Sequence, residues 1–232
     1  MTDGLPPVAI LAGGLGTRLG DAAGGLPKGM VAVAGRPFLA HVIDRLARHG
    51  ASRVVICRGH LGEAIEDGLG DGARFGMSIA YSDEGPRPIG TAGALRRALP
   101  LLGERFLVMY GDTYLRVDYA AAAARHTASG LAGLMTVLRN RGRWGESNVV
   151  YARGVVRAYD KRSPPPGAEW IDYGLLVLTA GALDGDEADV ADVLSRLART
   201  GQLAGMPVRA RFYEIGTPEA LAETGRFLSR RG

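Results

Sequence analysis

Of the 28 lysines and arginines in this 232-residue chain, only Lys28 and Lys161 are lysine. An ammonium is a compact point charge on a flexible stem and a guanidinium is a broad planar fork, so a site shaped around one phosphate oxygen need not accept both. A sequence that uses arginine almost everywhere and keeps two lysines marks those positions as candidates for phosphate chemistry. Lys28, in the dipeptide Pro27-Lys28, comes shortly after the run Leu11-Ala12-Gly13-Gly14-Leu15-Gly16-Thr17-Arg18-Leu19. Glycines let a backbone bend through positive φ and bring its N–H groups close to an anion, while Arg18 and Lys28 supply charge that amides lack. The run is not a P-loop, because no glycine precedes a lysine and a hydroxyl residue in that order. It is a poor dinucleotide fingerprint too, since Leu19 stands where a third glycine should let helix and strand pack closely.

A second group is Gly111-Asp112-Thr113, directly behind the apolar stretch that ends at Tyr110. A carboxylate leaving the end of a strand is a natural ligand for magnesium, which takes oxygen ligands and is held by one or two carboxylates together with substrate phosphates. Glu214 is the candidate second carboxylate. The plain alternative for Asp112 is a turn-capping aspartate. Gly90-Thr91-Ala92-Gly93 opens a helix with small residues, against which a base or ribose could lie. Lys161 stands at the end of a predicted strand, where a surface charge is its ordinary role.

The elements that must position these residues alternate. Residues 8–11, 53–57, 77–81 and 106–110 read as short buried strands, and residues 37–49, 92–99 and 119–127 as helices between them. That rhythm predicts an α/β, doubly wound, mostly parallel sheet with ligands beyond the carboxyl ends of its strands. Residues 148–152 and 155–160 then read as a hairpin about Arg153-Gly154, 171–178 as a strand, 191–199 as a helix, and 208–213 as a strand delivering Glu214. Thr217 and Pro218 open a terminal helix.

Composition narrows the class. At 47% hydrophobic and 22% charged the chain is globular in character. A net charge of +4 with only 6% aromatic residues gives no stacking platform, so nucleic-acid binding is not expected. Cys57 is the sole cysteine and His41, His49, His60 and His126 lack metal-ligand spacing, which excludes an intrachain disulfide and argues against structural zinc. No apolar run approaches a membrane span, and a cytoplasmic location is expected.

As an ordered set, the block 11–19, Pro27-Lys28, Gly35-Arg36-Pro37, Gly90-Thr91-Ala92-Gly93, Gly111-Asp112, Asp160-Lys161, Tyr173-Gly174 and Glu214-Ile215-Gly216-Thr217-Pro218-Glu219 resembles the sugar-1-phosphate nucleotidyltransferases. The resemblance implies a single Rossmann-like nucleotidyltransferase domain over residues 1–232. Its nucleotide part would cover about 1–138, a sugar-phosphate part with a small hairpin lobe about 139–215, and a helix 217–232. The implied reaction passes a nucleoside monophosphate from a nucleoside triphosphate to a sugar 1-phosphate and releases pyrophosphate. By that likeness Leu11, Ala12, Gly13, Gly14, Gly16, Thr17, Gly90, Thr91 and Ala92 hold the nucleotide. Arg18 reaches its outer phosphates, Lys28 the reacting phosphate and Lys161 the sugar phosphate. Asp112 and Glu214 would hold Mg2+, and Asn148, Asp172 and Gly174 would meet the sugar. The Gly-Thr-Ala-Gly motif looks most like the mannose and heptose 1-phosphate guanylyltransferases, with Asp83 or Glu84 accepting from guanine N1 and N2. A uridylyl- or cytidylyltransferase would keep the same phosphate machinery, whereas a nucleotide-sugar-binding regulatory subunit would keep the fold without turnover, a reading that the intact Arg18, Lys28, Asp112 and Lys161 speak against. A glycosyltransferase would show a second aspartate after Asp112, where Tyr114 stands. A homodimer is a family-level expectation. The family pattern departs at Glu214, commonly aspartate, and at Asp172-Tyr173, commonly asparagine and a small residue. Arg18, Lys28, Asp112 and Lys161 are expected to converge on one cation-lined cleft.

Overall fold

A computed structural model describes residues 4–14, 24–85 and 87–230. Gly16, Thr17 and Arg18 lie outside the described residues. The chain starts with β1 (Val8–Leu11), crosses a small ribbon of β2 (Ala32–Val33) and β3 (Arg36–Pro37), and enters α1 (Phe38–Arg48). Next come β4 (Arg53–Arg58), α2 (Gly62–Leu69), β5 (Ser78–Asp83), α3 (Gly90–Leu102), β6 (Arg105–Tyr110), the short β7 (Thr113–Tyr114) and α4 (Tyr119–Ser129). The second half holds β8 (Gly133–Arg139), the hairpin of β9 (Val149–Ala152) and β10 (Val155–Tyr159), and β11 (Trp170–Thr179). It closes with α5 (Val190–Arg199), β12 (Leu203–Val208), β13 (Tyr213–Glu214) and α6 (Pro218–Ser229).

Nine of these strands form one sheet in the order β5-β4-β1-β6-β11-β8-β12-β10-β9. Its first four strands pair in parallel, as do β8 and β12, whereas β11 runs antiparallel to both β6 and β8. The doubly wound part is thus the N-terminal half of a mixed sheet. The expected hairpin forms, with Arg153 at φ 50° and Gly154 at φ 84° giving the two positive-φ positions of a tight primed turn. It extends the same sheet at its far edge.

Alternation along β1 explains the layering. Val8 and Ile10 point into a core shared with Leu39, Ile43 and Leu46 of α1 and with Tyr119 of α4, while Ala9 and Leu11 point into a second core with Leu95 of α3 and Val193 of α5. A strand buried on both faces needs apolar residues at every position, which is how this segment reads. Each fully buried leucine or isoleucine of α1 contributes about 1.5–3 kcal/mol relative to exposure.

Three elements differ from the sequence expectation. β8, which pairs with both β11 and β12, was not anticipated, because it opens on Gly133-Leu134-Met135 and only Thr136 and Val137 of its residues are β-branched. α2 was not anticipated either: its Gly62 and Gly68 lower helix propensity, and burial of Ile65 and Leu69 overrides it. The strand expected at 208–213 lies instead at Leu203–Val208, parallel to β8, and the chain leaves the sheet before rejoining β7 through Tyr213 and Glu214. Val208, Ala210 and Phe212 alternate like a strand, whereas Gly205 and Pro207 conceal the real one.

His126 on α4 is buried, with neither ring nitrogen in a well-formed hydrogen bond. Burial first, and Arg105 to a smaller extent, hold its pKa below 6.5, although the backbone at Ala132 and Leu131 pulls the other way. The unfolded chain therefore binds the proton more readily, so stability is complete above pH 6.5 and declines as pH falls below it. We expect the wild-type melting temperature to drop between pH 7 and 5.5, and His126→Gln to remove part of that drop in parallel thermal melts.

Candidate active site

The carboxyl ends of the parallel strands lie side by side, with Leu11 in register with Cys57 of β4 on one flank and Tyr110 of β6 on the other. Residues that continue from these ends therefore share one crevice. Gly13 and Gly14 leave β1, Glu84 leaves β5, and Gly111-Asp112 leave β6. A cleft of about 240 Å³ is lined by these residues with Lys28, Thr91 and Asp189. A second, also about 240 Å³, is lined by Asn148, Tyr159, Lys161, Asp172, Gly174 and Glu214 among others. Tyr110 and Asp112 line both, so the two clefts adjoin at the end of β6.

Lys28 and Asp112 meet at that junction. Pro27 introduces a single helical turn, Lys28–Met30, which presents Lys28 with its side chain 14% exposed. Its Nζ donates to Asp112 Oδ2 at 2.6 Å, and Thr113 Oγ1 donates to Asp112 Oδ1 at 3.0 Å. Gly111 comes within contact of Ala12 and donates its N–H to Leu11 O at 2.9 Å, a fit that a Cβ there would crowd. Glu214 sits directly across from Thr113 in the β7–β13 ribbon, and Ile215 N donates to Asp112 O at 3.1 Å. α6 fixes the ribbon from behind, because Thr224 Oγ1 donates to Glu214 O at 2.6 Å. Thr217 caps this helix by accepting from Ala220 N at 3.2 Å, with Pro218 in its first turn.

At the second cleft Lys161 Nζ lies 5.7 Å from the centre of the Tyr110 ring. Burial pushes the Tyr110 phenol upward, and Asp172, Asp112 and Asp189 add to the effect, which puts three carboxylates around one ring. Asp172 accepts from Gly174 N at 2.9 Å, and Gly174 adopts φ 98°, a conformation natural only to glycine. Asn148 Oδ1 accepts from Asp172 N at 3.2 Å.

In the first cleft the Glu84 carboxylate lies against Gly13, whose missing Cβ leaves the room for it. Burial, and then Asp83, raise the Glu84 pKa. Thr91 is less free than its motif suggests: its hydroxyl accepts from Val190 N at 2.8 Å and faces Asp189 Oδ1 at 3.4 Å. Ala92 is fully buried and donates its N–H to Ala188 O at 2.8 Å, so it packs beneath the cleft and does not line it.

Asp189 was not singled out in the sequence. Its segment is clamped because Glu187 is gripped by Arg196 at 2.5 Å and by Arg96 at 3.7 Å, while Arg96 also donates to Leu183 O and Glu187 O. Tyr110 and Tyr159 were likewise read only as strand residues. The described part of the crevice is not cation-lined as expected: Glu84, Asp112, Asp172, Asp189 and Glu214 face two ammonium groups. Lys28, Asp112 and Lys161 do converge.

Among the described residues no three His, Cys, Asp or Glu side chains gather into a metal cage. The carboxylates of Asp112, just before β7, and Glu214, on β13, line one cleft and fit a hard divalent cation that would complete its shell with substrate oxygens and water. No helix among the described residues is long and apolar enough to cross a membrane.

A family model, nucleotidyl transferase, matches residues 8–231. Over 123 residues the chain is 43% identical to the N-acetylmuramate alpha-1-phosphate uridylyltransferase of Neisseria meningitidis serogroup B, a match covering 53% of this chain and about half of that relative (52%). It is 31% identical over 170 residues to the D-glycero-alpha-D-manno-heptose 1-phosphate guanylyltransferase of Campylobacter jejuni, covering 73% and 74% of the two chains. The crystal structure of HddC from Yersinia pseudotuberculosis complexed with GMP-PN superposes with a TM-score of 0.78 at 25% identity, over 96% of this chain and 99% of that one.

Proposed function

The chain belongs to the nucleotidyl transferase family, and from that premise we propose that it transfers a nucleoside monophosphate, from GTP, to a mannose- or heptose-type sugar 1-phosphate. The observation that carries this reading is the Lys28–Asp112 contact at 2.6 Å, at the junction of two clefts that each hold one of the chain's two lysines. Two polyanions must meet at such a junction, and their repulsion has to be offset where the bond forms.

In the reaction an oxygen of the sugar phosphate forms a bond to the α-phosphorus. The bond from that phosphorus to the oxygen bridging to the β-phosphate breaks in line, and its electron pair leaves with pyrophosphate. No side-chain nucleophile is needed, so catalysis rests on alignment and charge. Gly13 and Gly14 offer backbone at the triphosphate, and Arg18 is assigned to the outer phosphates. Lys28 releases Asp112 to hold the α-phosphoryl oxygens as charge builds on them. Lys161 grips the attacking phosphate, and Asn148, Asp172 and Gly174 hold the sugar. Asp112 and Glu214 would hold Mg2+, which when bound supplies neutralising charge between phosphate oxygens in a crevice otherwise rich in carboxylates.

Glu84 supports guanine. A carboxylate accepts from both N1–H and the N2 amine of guanine, and uracil offers only one donor on that edge. The heptose 1-phosphate relative is a guanylyltransferase by name, and HddC was solved with GMP-PN. The 43% identical uridylyltransferase favours UTP as the second reading. Pyrophosphate release measured over four nucleoside triphosphates and a panel of sugar 1-phosphates, with and without Mg2+, separates these. GTP is expected to give the highest kcat/KM, and Glu84→Gln to reduce it by roughly 10- to 100-fold for GTP with a much smaller change for UTP. Preference for UTP in the wild type overturns the guanine assignment, and silence with every pair overturns the transferase reading.

A further inference from the structure

Tyr173 has no place in the reaction as described above, yet it is buried, at 1% exposure, between the strand that walls the second cleft and the β7–β13 ribbon. β11 loses its regular register with β8 between Asp172 and Leu176, and Gly174 lies against Thr113 and Leu115 at the start of that stretch. The Tyr173 hydroxyl accepts from Arg116 N at 3.0 Å, two residues past the end of β7. Its ring meets the Phe212 ring edge-on, with centroids 5.9 Å apart, and Phe212 immediately precedes β13. The same hydroxyl faces Arg211 O at 3.5 Å. One side chain thus touches the exit of β7 and the entrance of β13, which are neighbours because Tyr114 pairs with Tyr213. The opposite end of the ribbon is closed by Ile215 N donating to Asp112 O at 3.1 Å. A ladder of two residues a side holds little shape by itself, so these closures define it.

We propose that Tyr173 is a positioning residue for the metal carboxylates: by pinning the end of the ribbon remote from Asp112, it holds Glu214 and Asp112 at a spacing that suits a small octahedral cation. This deepens the transfer reading and rests on its assignment of those two carboxylates to the cation. Mg2+ demands near-ideal octahedral geometry at short bond lengths, whereas Ca2+ accepts longer bonds and varied coordination numbers. A ribbon fixed at both ends favours the smaller ion, and a ribbon fixed at one end gives up that preference first. Groups that orient ligands without touching the metal act on its affinity in this way. A small residue, which the family pattern commonly has at this position, could not reach Arg116, so the strut belongs to this chain's own form of the site. The segment that carries it also carries Asp172 and Gly174, so the wall of the second cleft and the metal ribbon share one support.

The test uses Tyr173→Phe, which keeps the ring against Phe212, with Tyr119→Phe as control and thermal melts to establish that both fold. Tyr119 is also a fully buried phenol that donates to this loop, at Leu115 O, but Arg45 Nε donates to the same carbonyl at 2.5 Å and keeps it satisfied. Binding of Mn2+ alone to the full chain without nucleotide is followed by electron paramagnetic resonance, with Mg2+ and Ca2+ as competitors, beside amide hydrogen exchange of the metal-free protein. For Tyr173→Phe we expect the dissociation constants of Mn2+ and Mg2+ to rise about tenfold, with that of Ca2+ within about threefold, and the Ile215 amide to exchange faster. Tyr119→Phe should keep wild-type values throughout. Unchanged Mg2+ affinity, unchanged preference over Ca2+ or unchanged Ile215 exchange in Tyr173→Phe overturns the proposal. An equal loss in Tyr119→Phe, or a wild type that binds no Mn2+, overturns it too. None of these measurements needs turnover, so the transfer reading is judged apart from them. Tyr173-dependent Mn2+ binding without pyrophosphate release in the wild type rejects transfer and keeps the strut, and release with Mn2+ binding that ignores Tyr173→Phe does the reverse.

Discussion

Replacing Lys28 by alanine is expected to lower kcat by about 10²- to 10³-fold while the protein stays folded. On the proposed reading the ammonium lies beside the reacting phosphorus, in a site shielded enough that its side chain is 14% exposed, and a cation in such a site stabilises developing charge far better than one in water. Its pair with Asp112 leaves the carboxylate 31% exposed to water, so losing the contact costs about 1 kcal/mol of stability. The fold therefore survives while the chemistry does not. Lys28→Arg is expected to recover little, because the guanidinium fork cannot occupy a pocket framed by Gly29, Gly111 and Gly216. A side-chain atom added at Gly216 would come within 3.4 Å of the Lys28 Nζ. Steady-state kinetics with circular dichroism and a thermal melt check both variants; a Lys28→Ala protein with near-normal kcat would remove the ammonium from the reaction.

How far the site could be read in the sequence depends on whether its parts are local. The β1 segment, the Pro27-Lys28 pair and the Gly111-Asp112 turn are each set by neighbours along the chain, and the structure places Lys28 against Asp112 in one cleft and Lys161 in the adjoining one, which Asp112 also lines. The scarcity of lysine carried real information, since both lysines line the crevice. Asp189 was invisible for the opposite reason. Its place depends on Glu187 being held between Arg96, nearly a hundred residues earlier, and Arg196 on the following helix, and no local pattern announces such a clamp. Tyr159 was hidden because a tyrosine in a strand is ordinarily core, and only the register of β10 against β9, with β11 alongside, brings it into the wall of the cleft that Asp172 also lines. The acidic character of the crevice was missed similarly. Formal charge is summed over the chain, whereas five carboxylates from five different segments are gathered by topology at one end of a sheet. That excess would give a bound divalent cation its task.

Asp112→Asn is accordingly expected to be the other severe lesion, with kcat reduced by about 10²-fold or more and the requirement for Mg2+ shifted to higher concentration. The amide is isosteric, keeps an oxygen to accept from Thr113 Oγ1, and leaves the backbone carbonyl free to accept from Ile215 N, so the β7–β13 ribbon should hold its shape. What disappears is the charge. A neutral oxygen is a weak ligand for a hard dication, and the remaining carboxylate at Glu214 is exposed on the outer strand of a two-residue ribbon. Glu214→Gln should consequently cost less than Asp112→Asn and should show itself mainly as a higher half-saturating Mg2+ concentration. Lys28 and Asp112 act on the same phosphoryl group, so the double variant Lys28→Ala with Asp112→Asn should lose far less than the product of the single effects. Rates measured across a Mg2+ series for the three variants decide the matter. Wild-type kcat for Asp112→Asn at ordinary Mg2+, or strict multiplicativity in the double variant, would mean that the carboxylate and the ammonium do not share a task.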